Sequence, residues 1–177
     1  MHIIIDGYNL IRQSGVLRRA EKSGLEAGRQ ALVHFIKPYK RLKNHRITIV
    51  FDGWQNGSPM EERDCEGGIE IVYSRRGEKA DEVIKHIAER SGEEVMVVTS
   101  DRDIASFVVR RGGTAVSSRD FEEIISAKFL SAGPMQRVEG ESDEGEDAGD
   151  APSGRKKGPA RRLSRRERDY RKRVEKL

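Results

Sequence analysis

Apolar residues in this chain are concentrated in short runs. The runs are Ile3 to Ile5, Ile47 to Phe51, Ile69 to Tyr73, Val95 to Val98 and a weaker Thr114 to Val116. Runs of this length, rich in β-branched residues, predict strands buried on both faces, as in a parallel sheet. Between most of them the apolar spacing changes to three or four. Leu25, Gly28, Leu32, Phe35, Ile36, Tyr39 and Leu42 predict a long helix over Ser23 to Lys43, with Ser23 as its cap and a kink at Pro38. Ala80, Val83, Ile84, Ile87 and Ala88 mark a second helix, and Ile104, Ala105, Phe107 and Val108 a third. Phe121, Ile124, Ile125 and Phe129 mark a fourth, started by Ser118 or Asp120. Strands alternating with helices predict an α/β fold: a doubly wound, mainly parallel sheet with helices on both faces. The polar stretch from Trp54 to Gly68 reads as a surface loop.

After Pro134 the periodicity stops. Glu139 to Gly158 has almost no large apolar residue and is expected to be disordered. The expected organisation is a folded domain over 1–133, an acidic flexible linker over 134–158 and a basic tail over 159–177. The tail can form a helix, but its large apolar residues are only Leu163, Tyr170, Val174 and Leu177, so alone in water it should fray. Charge sharpens these boundaries. Residues 1–138 hold 22 Lys/Arg and 20 Asp/Glu, residues 139–150 seven acids and no base, and residues 155–177 twelve bases and three acids. The formal net charge of +4 thus conceals a strongly basic tail behind an acidic spacer. Cys65 is the one cysteine, which excludes an intramolecular disulfide and a cysteine zinc cluster, and a reducing cytoplasm is the expected compartment. No apolar window is long enough to span a membrane, and no secretory leader is visible.

The chemistry is written at the strand ends. Asp6-Gly7-Tyr8-Asn9 follows the first run, Asp52-Gly53 the second, and Ser100-Asp101-Arg102-Asp103 follows Val95 to Thr99. Ala80-Asp81-Glu82 opens the helix that returns to the Val95 strand. In an open α/β sheet, ligands bind beyond the carboxyl ends of the strands. A parallel sheet would therefore gather Asp6, Asp81, Asp101 and Asp103 in one crevice, with Asp52 close by. Packed carboxylates repel one another and take up protons unless a cation shares their charge. An all-oxygen site of this kind suits Mg²⁺ or Mn²⁺ and phosphate chemistry.

Each residue also has a plainer reading. Asp6-Gly7 and Asp52-Gly53 are ordinary turn dipeptides. Asp81 and Glu82 suit a helix N-terminus, and Ser100 to Asp103 resembles a helix cap with acids in its first turn. Asn9 is either a supporting amide or a cap, and Ser100 or Thr99 either holds a water or caps. Tyr8 and Trp54 either stack on a base or lie as lids on the core. Arg75, Arg76 and Lys79 either hold phosphates beside the acids or belong to a solvated loop. The four histidines show no metal-ligand spacing and none falls in the acidic segments, which disfavours a histidine-driven ribonuclease.

Together, Ile5-Asp6-Gly7-Tyr8-Asn9, Phe51-Asp52-Gly53, Ala80-Asp81-Glu82 and Thr99-Ser100-Asp101-Arg102-Asp103 resemble the motifs of the NYN domain, in the PIN-like nuclease group. The order and spacing of the four carry the resemblance, which covers roughly residues 1–130 and points to the bacterial YacP-like branch. Arg161-Arg162-Leu163-Ser164-Arg165-Arg166-Glu167 is similar to the basic ending of that branch. The resemblance implies a Mg²⁺- or Mn²⁺-dependent endoribonuclease. Its acidic centre would be Asp6, Asp81, Asp101 and Asp103, with Asn9 in support and Asp52 at a family position of less defined role.

The tail, including Arg161, Arg162, Arg165 and Arg166, can neutralise phosphates and release counterions. A flexible tether would hold the domain near a large RNA such as a ribosome. The expected reaction is phosphodiester hydrolysis leaving a 5′-phosphate and a 3′-hydroxyl. The rival reading is a noncatalytic RNA-binding or ribosome-associated protein on the same fold. A haloacid-dehalogenase-type phosphatase is disfavoured because Tyr8, not a second Asp, stands two residues after Asp6.

Overall fold

The central strand, β1 (His2–Asp6), pairs in parallel with β2 (Arg46–Phe51) on one side and β5 (Val95–Val98) on the other. The computed structural model describes residues 1–53, 58–132 and 165–177. Beyond β2 lies β4 (Ile69–Tyr73), and beyond β5 lies β6 (Thr114–Val116), both parallel to their neighbours. An antiparallel edge strand, β3 (Glu62–Glu66), completes the order β3-β4-β2-β1-β5-β6.

The helices divide between the two faces, because successive strand residues point to opposite sides. Ile3 and Ile5 face a core formed with α1 (Gly7–Gln13), α2 (Leu17–Glu21), α3 (Leu25–Leu42) and α6 (Ser118–Ala132). Ile4, Val50, Val72 and Val97 face the other way, onto α4 (Ala80–Arg90) and α5 (Arg102–Arg110). Ile3, Ile4 and Ile5 are fully buried. Each contributes about 1.5–3 kcal/mol relative to exposure, which is why β1 occupies the middle of the sheet.

Two expectations need correction. Residues 62–66 are not loop but β3, joined to β4 by Gly67 and Gly68 at φ 62° and 79°. A two-residue turn with both φ positive matches the twist of a hairpin, and glycine adopts it without a Cβ clash. Ser23 does not cap α3; Gly24 holds that position at φ 136°. Pro38, the expected kink position, lies inside α3, and the helix runs on to Leu42.

The tail forms α7 (Arg165–Glu175), and it is not left alone in water. Leu177 is fully buried in the α3/α6 core and Val174 packs against it. Arg173 donates from Nη1 to the Gly112 carbonyl at 2.7 Å and to Thr114 Oγ1 at 2.9 Å. Glu94 pairs with Arg173 Nε at 3.0 Å and with Lys176 Nζ at 2.6 Å. These partners precede or begin β5 and β6, so the end of α7 is fixed at the amino edge of the sheet. The linker expected over 134–158, together with Arg161 and Arg162, lies outside the described residues.

Candidate functional site

The connection leaving β1 runs through α1 to α3 on one face, and the connection leaving β5 runs through α5 on the other. The carboxyl ends of β1 and β5 therefore form the switch point at which a doubly wound sheet opens a crevice. Asp6 ends β1 and Asp101 follows β5, so the crevice has an acid on each side.

Asp6 closes the strand and opens α1. Its Oδ1 accepts the Asn9 N–H at 3.2 Å, which caps the helix, and its Oδ2 accepts the Thr99 hydroxyl at 3.1 Å. The next residue must be glycine, because a Cβ on Gly7 would stand 2.4 Å from Phe51 Cε1. Thr99 Oγ1 also accepts the Asp101 N–H at 3.0 Å, so one hydroxyl ties the two acidic segments together. Asp101 caps α5, accepting the N–H groups of Asp103 at 2.7 Å and Ile104 at 3.1 Å. Asn9 Oδ1 accepts the Ser100 N–H at 2.9 Å and the Ser118 hydroxyl at 2.8 Å, joining α1 to the fourth motif and to α6.

Electrostatics links three of the acids. Burial pushes the Asp6 carboxyl up to about 6, against the Asn9 and Thr99 hydrogen bonds, and the charges of Asp81 and Asp101 add to the rise. Asp81, in the first turn of α4, is likewise raised by burial and then by the Asp101 charge. Two neighbouring carboxylates are thus held in a state that disfavours their anions. All three line one cleft of about 1010 Å³, together with Asp52, Asn9 and Tyr8.

Other expected residues fall elsewhere. Asp103 is exposed and does not line this cleft; it remains a favourable charge at the start of α5. Ser100 is exposed, with its Oγ 3.4 Å from the Ser118 N–H, and the hydroxyl that reaches the acids belongs to Thr99. Asp52 lies at the cleft wall, with the Ser74 hydroxyl 3.5 Å from its Oδ1. Arg75, Arg76 and Lys79 lie outside the cleft lining, and Arg75 pairs with Glu78 at 3.3 Å. Trp54 lies outside the described residues. Among the described residues no three His, Cys, Asp or Glu side chains already stand as a coordination set.

Periodicity and motif reading also pass over Arg29 and Tyr73. Arg29 reaches from α3 to the cleft and donates to the Tyr8 hydroxyl from Nε at 2.8 Å and from Nη2 at 2.6 Å. Its guanidinium lies over Tyr73, Tyr8 and Phe51, 5.0, 5.5 and 5.6 Å from their ring centroids. No local signal in α3 marks this arginine.

A model of the YacP-like NYN domain matches residues 3–168. The chain belongs to the YacP-like NYN family. That family sits in the PIN-like nuclease group. The uncharacterized protein YacP of Bacillus subtilis (strain 168) is 24% identical over 121 residues, which span 67% of this chain and 71% of that protein. The crystal structure of Rae1 (YacP) from Bacillus subtilis is similar with a TM-score of 0.60 at 22% identity, covering 75% of this chain and 79% of that one. A crystal structure of a point mutant of that protein aligns with a TM-score of 0.58 at 22% identity, over 73% and 79% of the two chains. These structures share the YacP-like fold with this chain: a mostly parallel sheet with helices on both faces.

Proposed function

We propose that this YacP-like NYN protein is a divalent-metal-dependent endoribonuclease, with Asp6, Asp81 and Asp101 as the acidic centre. The observation that carries the reading is the convergence of these three acids on one cleft at the sheet's switch point. Burial and like charge raise Asp6 and Asp81, and a cation would relieve both. The donor set is all oxygen, which fits a hard ion, and Mg²⁺ or Mn²⁺ held there would stabilise phosphoryl charge and acidify water. Thr99 fixes the Asp6 carboxylate and the Asp101 backbone relative to each other, and Asn9 fixes the loop that follows β5. Asp52 lines the wall of the same cleft without a ligand role.

RNA is the proposed substrate on the strength of the family and of charge. α7 presents Arg168, Arg171 and Lys172 to solvent while its end is docked, so basic residues form a fixed face rather than a loose tail. Ribosome-associated RNA in a reducing cytoplasm fits that charge and the lone Cys65.

The rival, a noncatalytic RNA-binding protein on the same fold, rests on the exposed basic face of α7, which needs no metal to hold RNA. The test is a mixed RNA pool incubated with Mn²⁺, with chelator, and with the Asp101→Asn variant, the new ends being mapped. Cleavage should need the metal, leave 5′-phosphates, and disappear in the variant while RNA binding persists. Undiminished turnover in Asp101→Asn would sink the mechanism, and calorimetry showing no Mn²⁺ uptake by the wild type would favour the rival.

A further inference from the structure

Charge inside the cleft is unfavourable for a polyanion. Six carboxylates line it, those of Asp6, Glu26, Asp52, Glu62, Asp81 and Asp101, against two cations, Arg12 and Arg29. A cation held by Asp6, Asp81 and Asp101 would neutralise only part of that excess. An RNA strand threading the cleft needs a positive partner from the protein as well.

The two arginines differ in how far they are prepared for this. Arg12 has a side chain 67% exposed, and its nearest acid, Glu21, is 3.9 Å away. Arg29 is 23% exposed and held from two directions. Three aromatic rings pack against its guanidinium, and the Tyr8 oxygen accepts from both Nε and Nη2. Of the five guanidinium N–H groups, Tyr8 takes two and Glu26 takes one from Nη1 at a long 3.5 Å. Each Nη atom therefore keeps a further N–H. A guanidinium fixed in this way loses little freedom on binding, and its planar fork matches phosphate oxygens.

We propose that Arg29 is a substrate-phosphate contact of this cleft, with Tyr8 as the residue that positions it. Arg29 binds a backbone phosphate of the RNA strand, and the Tyr8 hydroxyl holds the guanidinium at the angle that contact requires. The aromatic packing and the Tyr8 hydroxyl give the arginine a fixed seat, with Glu26 only at a long 3.5 Å. The assignment rests on the ribonuclease reading above for the identity of the polyanion.

The experiment uses the full chain carrying Asp101→Asn, so that the strand is bound but not cut, and follows the anisotropy of a short fluorescein-labelled oligoribonucleotide across a salt series. Adding Arg29→Gln should weaken binding about 10- to 100-fold. It should also lower the slope of log affinity against log salt by about 0.7, the value for one phosphate contact on a single strand. Tyr8→Phe keeps the charge, so it should weaken binding only several-fold with the slope unchanged. Arg29→Lys, which retains charge and stem, should keep the slope and recover part of the affinity. A purely structural Arg29 would leave the slope at its parent value in every folded variant, and that outcome overturns the proposal. Wild-type chain that cleaves RNA beside an unchanged Arg29→Gln slope rejects the phosphate contact alone. A lowered slope in a chain that never cleaves rejects the nuclease reading and keeps the contact.

Discussion

His2 and Asp6 stand at the two ends of β1, both nearly sealed from water, at 1% and 9% exposure. At the amino end, burial, helped by the Arg46 charge, lowers the His2 imidazole to about 4. The neutral ring is satisfied there by Thr48 Oγ1 at 2.8 Å and Ser91 Oγ at 3.2 Å. At the carboxyl end, burial raises Asp6 to about 6, with neighbouring acids contributing to the rise. One edge of the sheet is thus electrically finished, with His2 neutral and Glu94 paired to Arg173 and Lys176. The other carries unmatched negative potential. A fold has no need of such an edge, and the difference singles out the carboxyl end of β1 as the candidate site.

The sharpest way to break this comparison is Asp6→Asn. It should reduce RNA cleavage by about three orders of magnitude or more. In chelator at pH 7 the same change should raise unfolding free energy by about 1–3 kcal/mol, since a raised carboxyl is an uncompensated cost there. Urea titration checks the second effect, and a destabilised variant would show that the site is not under strain. Next in size are the opposite pH linkages of the two ends. Asp6 is protonated folded and ionised unfolded between about pH 4 and 6, so its contribution is present in acid and lost as pH rises through 6. His2 is neutral folded and protonated unfolded below 6.5, so its contribution is present at neutral pH and lost as pH falls toward 4. Metal-free wild type should show a shallow profile across that window. Asp6→Asn should lose stability on acidification, and His2→Gln should gain it; parallel profiles in the two variants would refute the contrast. The smallest effects belong to the docked tail. Leu177→Ala should cost about 2 kcal/mol and speed amide exchange in α7. Glu94→Gln should cost about 1 kcal/mol or less, because that pair is partly solvated. Equal exchange rates in α7 for all three proteins would mean the helix is not held there.

The parallel sheet was legible because both its faces are covered. Ile3 to Ile5 and Val95 to Val98 read as continuous apolar runs, and only buried strands are written that way. Glu62 to Glu66 was not legible for the converse reason: every residue of β3 is exposed, so no apolar period marks it, and only Gly67-Gly68 hints at the hairpin. Asp6, Asp81 and Asp101 could be grouped from topology, since strand ends share an edge. Asp103 shares its motif with Asp101, and its place two residues further along α5 leaves it exposed. Thr99 and Arg29 depend on contacts between segments distant in sequence, 93 and 21 residues apart, which no local pattern encodes. The docking of α7 was illegible because Val174 and Leu177 make too small an apolar stripe to predict a socket.

That docking also bears on self-association. β3 ends the sheet on one side with the charged sequence Glu62-Arg63-Asp64-Cys65-Glu66, a poor template for another chain to extend. β6 ends it on the other side with only three residues, Thr114-Ala115-Val116, and α7 lies against them through Arg173. Unseating the helix would open a short uncharged strand edge next to the vacated socket of Leu177. The same contacts that hold a basic helix in place therefore act as a shield against aggregation, and the protein's shelf life in solution should track how firmly its last turn is seated.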